Sequence, residues 1–144
     1  MKNTVEVKFK AIPENEAFAR NVVASFILPL NPSINELSDI KTAVSEAVTN
    51  AVVHAYPEKS GNITMKISID KNKVEISISD NGIGIQDIER ALTPFFTSKP
   101  EEERSGMGFT VMESFMDKLE VKNNKEGVTV SMIKEIETSD VVGL

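Results

Sequence analysis

SINELSDIKTAVSEAVTNAVVHAY, residues 33–56, reads as one long helix, and the remainder of the chain can be understood as building or covering its surface. Ser33 followed three residues later by Glu36 has the form of a capping box, and Pro57 marks the far end. Between these signals Leu37, Ile40, Val44, Ala47, Val48, Ala51 and Ala55 recur at helical spacing and form a core-facing stripe. Glu46 and Asn50 lie four apart, so at about 100° per residue they stack on the side away from that stripe, with His54 continuing the row. Ala43, Ala47 and Val53 flank the pair where an exposed face would carry Lys, Glu or Gln. This face is therefore expected to be covered, although solvated Glu and Asn on an amphipathic helix are common.

On the N-terminal side, Val5, Val7 and Phe9 alternate with charged residues and predict a half-buried strand near a sheet edge. Pro13 opens a second helix to about Leu28, with Phe18, Val22 and Phe26 expected on the buried face and Glu16 and Arg20 on the other. Glu16 and Arg20 read as a solvated four-apart ion pair, with a partner-docking surface as the alternative.

On the C-terminal side, Ile63, Met65, Ile67 and Ile69, then Val74, Ile76 and Ile78, alternate with polar residues around Lys71-Asn72-Lys73 and predict a hairpin. It delivers the chain to Asp80-Asn81-Gly82-Ile83-Gly84. Asn81-Gly82 is an ordinary turn signal, but no strand follows it, since Gln86 to Leu92 reads as a short helix. A carboxylate at a strand end with two glycines after it instead suggests a ligand approaching bare backbone. Residues 93–105 are polar, aperiodic and long enough for a lid, with a plain surface loop as the alternative. Ser105-Gly106-Met107-Gly108 leads into a helix reaching about Met116, a place where free N–H groups can hold an anion. Leu119 and Val121, then Val128, Val130 and Met132, predict a closing hairpin, and residues 137–144 a tail.

Composition narrows the class. A length of 144 residues suits a single domain spanning 1–144, and 40% hydrophobic with 26% charged residues is ordinary for a globular protein. The absence of cysteine excludes disulfides and thiolate chemistry, and one histidine cannot build a multi-histidine metal site. A net charge of −6 without a Lys/Arg cluster argues against direct nucleic-acid binding, and no segment reads as a signal or a membrane span. A cytoplasmic setting is expected. The element order implies an α+β, two-layer sandwich with a mixed, mostly antiparallel sheet and helices on one face.

Taken in order, Glu46-x-x-x-Asn50, Asp80-x-Gly82-x-Gly84 and Gly106-x-Gly108 resemble the N, G1 and G2 boxes of the GHKL (Bergerat-type) ATPase and kinase superfamily. Phe95-Phe96-Thr97-Ser98-Lys99 resembles the phenylalanine box of its kinase branch. The run from Ser45 to Tyr56 is most similar to the anti-sigma factor serine kinases, those of sporulation above all. The resemblance implies ATP or ADP with Mg²⁺ as ligands and a lid over about residues 93–106. Asn50 would be the metal ligand, Asp80 the acceptor for the adenine amino group, and Thr129 a water-mediated partner in that contact. Gly82 and Gly84 would let the backbone approach the nucleotide. Ser105, Gly106, Met107, Gly108 and Phe109 would hold phosphate at a helix start, and Thr97, Ser98, Lys99 and Arg104 would belong to the lid, either cation neutralising phosphate charge. Glu46 would be the base for an incoming serine hydroxyl, and His54 a packing or polar-contact residue. The implied partners are a sporulation sigma factor of the sigma F type and a small anti-anti-sigma protein phosphorylated on serine, with the chain itself a homodimer. A nucleotide-gated sigma-binding module, or a simple ATPase, are the competing functions.

Overall fold

The computed structural model describes residues 2–56, 60–84, 108–124 and 126–137. The expected helix over residues 86–92, the proposed lid and residues 138–144 lie outside them.

Among the described residues five strands form one sheet: β1 (Lys2–Lys10), β2 (Asn62–Asp70), β3 (Lys73–Asp80), β4 (Lys118–Asn123) and β5 (Val128–Glu135). Their spatial order is β1-β2-β3-β5-β4, and all four pairings are antiparallel. The alternating residues do what their period requires. Ile63, Met65, Ile67 and Ile69 on β2 and Val74, Ile76 and Ile78 on β3 are all buried, whereas Lys66, Asp70 and Glu75 are exposed. Lys71 takes the left-handed conformation (φ 60°) that reverses the chain between β2 and β3. β1 is an edge strand, as its alternation suggests.

Among the described residues three helices cover the apolar face: α1 (Asn15–Ile27), α2 (Ile34–Asn50) and α3 (Gly108–Phe115). At the start of α2 the Ser33 side chain accepts from the Glu36 N–H at 3.0 Å, and Glu36 Oε1 accepts from the Ser33 N–H at 2.9 Å, completing the capping box. Glu36 Oε2 also accepts from the Glu137 N–H at 2.8 Å, tying the end of the described chain to the head of α2. Lys134 on β5 donates to the Phe115 carbonyl at the end of α3 (2.8 Å) and lies 3.8 Å from Asp39 on α2.

Three expectations change. The long helix is not uniform: α-helix stops at Asn50, and Ala51–Ala55 continue as a π-helical turn. On α1 the buried row is Ala19, Val23 and Ile27, one position on from the aromatic row. Small and branched side chains fit the tight crossing with α2, so Val22 and Phe26 pack at its margin while Phe18 stays 46% exposed, edge-on to Phe9 with centroids 5.8 Å apart. Finally, Glu16 and Arg20 are not a solvated pair. Arg20 Nη1 donates to both Glu16 Oε1 and Ser45 Oγ at 2.9 Å, and Thr49 Oγ1 donates to Glu16 Oε2 at 2.7 Å. The pair faces α2 and clamps α1 to it.

Candidate nucleotide site

The polar residues of α2 reach their setting through tight glycine contacts. Asn50 ends α2, and its amide abuts the first residue of α3: a Cβ on Gly108 would stand 3.0 Å from Asn50 Nδ2 and 3.1 Å from Oδ1. Any side chain at 108 would crowd that amide. Two of the sequence motifs are thereby in contact at the mouth of a helix N-terminus. Glu46 lies one turn before Asn50, half-buried, and Phe109 follows Gly108, packing against the core margin.

Five residues past Asn50, the π turn meets the turn that follows β3. The Ile83 N–H donates to the Ala55 carbonyl at 2.9 Å, and a Cβ on Gly82 would overlap that same carbonyl. Gly82 therefore lets the turn close onto α2's extension, a role in packing that the reading of a bare ligand-facing backbone did not include. Gly84 has φ 80°, where a side chain is strained.

Asp80 ends β3 and is 8% exposed. Its Oδ1 accepts from the Gly82 N–H at 2.9 Å and from the Val128 N–H at 3.3 Å. Burial pushes its carboxyl above the ordinary value of 3.8, against the opposing pull of those two N–H donors. Among the described residues both bonds fall on one oxygen, Oδ1. Gly127, with φ 85°, presses directly against Asp80, since a Cβ there would overlap the Asp80 carbonyl and reach Oδ1 at 2.7 Å.

Thr129 does not fill the place expected of it. It pairs with Ser79, and its hydroxyl lies 2.9 Å from Ser79 Oγ and accepts from Asn124 Nδ2 at 2.7 Å. Successive strand residues point to opposite faces, so Thr129 and Asp80 are on different sides of the sheet. The residue at Asp80 is Val128, through its backbone. Gly127 and Val128 were missed because a glycine before a strand signals only a hairpin; that it also faces a carboxylate 47 positions earlier depends on the β3–β5 register. Thr97, Ser98, Lys99, Arg104, Ser105, Gly106 and Met107 lie outside the described residues.

On the other side of Glu46 an open groove of about 490 Å³ runs between α1 and α2, lined by Glu16, Arg20, Leu37, Lys41, Ser45 and Glu46 itself. Among the described residues no cluster of three or more His, Cys, Asp and Glu could hold a metal ion.

The described geometry can thus offer a buried acceptor, an amide beside a helix start and a carboxylate between them and a groove. Comparison with known proteins is in keeping with this. Residues 9–134 match the histidine kinase-like ATPase domain. An anti-sigma F factor from Caldanaerobacter subterraneus subsp. tengcongensis is 53% identical over 135 residues, covering 93% of this chain and 94% of its own. The chain belongs to the histidine kinase-like ATPase domains, in the anti-sigma F factor family. A second family member, from Clostridium perfringens (strain ATCC 13124), is 52% identical over 140 residues, covering 96% of this chain and all of its own. In fold, this histidine kinase-like ATPase domain resembles the RsbU and RsbW domains of a Mycobacterium tuberculosis protein (TM-score 0.69, 18% identity, 93% of this chain and 32% of that one). It also resembles the catalytic domain of the histidine kinase ThkA (TM-score 0.58, 19% identity, 92% and 97%). Nucleotide binding is the shared property of the family's ATPase domain. Among the described residues no helix is long and apolar enough to cross a membrane.

Proposed function

We propose that the chain is a cytoplasmic anti-sigma factor and ATP-dependent protein serine kinase, holding a sporulation sigma factor of the sigma F type and phosphorylating a small anti-anti-sigma protein. The observation that carries this is the position of Glu46, which lines the α1–α2 groove and stands one helical turn from Asn50. A carboxylate shared between an open groove and the helix end proposed to face the nucleotide suits transfer to a protein hydroxyl better than to bulk water.

The residues present fit MgATP: Gly108 leaves room at the Asn50 amide, and among the described residues both donors to Asp80 fall on Oδ1. When bound, MgATP supplies the transferable phosphoryl group and the cation that offsets its charge. Asn50 presents its amide oxygen to that cation. Asp80 Oδ2 accepts from the adenine amino group, and guanine's carbonyl there would face an acceptor. The N–H groups at the start of α3 face phosphate, with Lys99 and Arg104 as the proposed lid cations. A Glu46 carboxylate oxygen orients the incoming serine hydroxyl and takes its proton.

Incubation with MgATP and a candidate antagonist protein, with mass-spectrometric detection of phosphoserine, tests the whole reading. Glu46→Gln should bind MgATP as the parent does and lose transfer by about 10²–10⁴-fold; an unchanged transfer rate would remove Glu46 from the role. A second reading, a nucleotide-gated sigma-binding module with little kinase activity, draws on the same groove: Arg20 and Glu16 line it while bonded to α2. It predicts nucleotide-dependent sigma binding without phosphoserine. Sedimentation equilibrium would check the homodimer implied by the family.

A further inference from the structure

The chain has one tyrosine and no tryptophan. Tyr56 follows the π turn, and its phenol oxygen does two things: it donates to the Asn62 carbonyl at the start of β2 (2.8 Å) and accepts from the Asn81 N–H (2.8 Å). Asn81 is the residue between Asp80 and Gly82. The next amide along, Gly82 N–H, is the one that holds Asp80 Oδ1. Consecutive N–H groups of one short turn are therefore gripped by the Tyr56 phenol and the Asp80 carboxylate. Gly61 makes the phenol's position possible, because a Cβ there would overlap the ring. The Ala55 carbonyl, next to Tyr56, takes the Ile83 N–H, so residues 55 and 56 together hold the turn on both sides of Gly82.

We propose that Tyr56 is a positioning residue for purine recognition: its hydroxyl sets the 81–83 turn and, through the Gly82 amide, the direction of the Asp80 carboxylate. The proposal rests on the reading that Asp80 accepts from the adenine 6-amino group. Because α2 carries Glu46 and Asn50 and the π turn that continues it ends in this clasp, the same side chain links the base end of the site to the phosphate end. A phenylalanine at 56 keeps the ring over Gly61 and removes only the hydroxyl. The exposed Asn81 N–H can then bond water, so the fold survives while the turn loses its fixed acceptor.

The test compares ATP with purine riboside triphosphate, which lacks the 6-amino group, by calorimetry on the parent chain, Tyr56→Phe, Gly61→Ala and Asp80→Asn. Tyr56→Phe should weaken ATP about three- to tenfold, the scale of one lost hydrogen bond, and leave the purine analogue within about twofold. Gly61→Ala, which displaces the ring, should narrow the preference in the same way. Equal weakening of both nucleotides, or of neither, would overturn the proposal and reduce Tyr56 to a structural role. If Asp80→Asn keeps the parent's full preference for ATP, the reading beneath the proposal falls, and a narrowed preference in Tyr56→Phe would then need another origin.

Discussion

Asp80 is ionisable, nearly buried and, among the described residues, bonded through Oδ1, and those facts set opposite demands on stability and recognition. Its folded-state pKa is raised above the ordinary 3.8, chiefly by burial, so the charged form costs the free protein stability at neutral pH. That cost disappears as pH falls through the raised value. Asp80→Asn should accordingly give a nucleotide-free protein that melts at or above the parent at pH 7, since the amide oxygen can keep the Gly82 and Val128 N–H bonds. Those same bonds turn the amide NH₂ toward the ligand, where it meets the adenine amino group donor to donor. ATP affinity should fall by at least about 100-fold and the preference for ATP over inosine triphosphate should collapse, as paired titrations would reveal. In the parent, protonation converts Asp80 into a donor, so adenine affinity should begin to fall at a pH above that expected from an ordinary aspartate.

At the scale of elements, the head of α2 and the contact between α2 and α3 are both open to single substitutions. Ser33→Ala removes the cap on the Glu36 N–H and should cost about 1 kcal/mol in chemical denaturation, without altering nucleotide affinity. Burial alone would raise the Glu36 carboxyl, but the N–H groups of Glu137 and Ser33, the Ser33 hydroxyl and the charge of Lys134 outweigh it and hold it below the ordinary 4.5. A depressed folded-state value means stability that is present above pH 4.5 and lost as pH falls through the lowered value. Glu36→Gln, which can keep the capping box, should flatten that acid limb in thermal melts between pH 6 and 3. Gly108→Ala places a methyl about 3 Å from the Asn50 amide, tighter than ordinary contact; it should weaken MgATP binding more than it lowers the melting temperature.

For the molecule as a whole, stability rests on the layer between sheet and helices. Ile76 is fully buried on the central strand β3, and Ile76→Ala should cost about 2–5 kcal/mol, read as a lowered denaturation midpoint with an unchanged slope. Much of this architecture was legible in the chain, because burial follows period. Residues alternating two by two on β2 and β3, and the stripe on α2, could face the core in only one way. The places of Glu46, Asn50 and Asp80 were legible for a related reason: the first two sit one turn apart on a helix whose buried stripe is plain, and Asp80 at the end of an alternating strand.

What lay beyond the linear pattern involves two segments meeting. Which row of α1 is buried depends on the bulk that α2 admits at their crossing, so Ala19, Val23 and Ile27 displaced the more apolar aromatic row. The Glu16–Arg20 pair looks solvated from spacing alone and becomes a clamp once Ser45 and Thr49 arrive from another helix. Thr129 was assigned beside Asp80, but sheet register and strand alternation set its hydroxyl on the far face and brought Gly127 and Val128 to the carboxylate instead. Local periodicity is a property of neighbours in the chain, whereas a binding site is made of distances between residues far apart in it, and those distances exist only after the layers have packed.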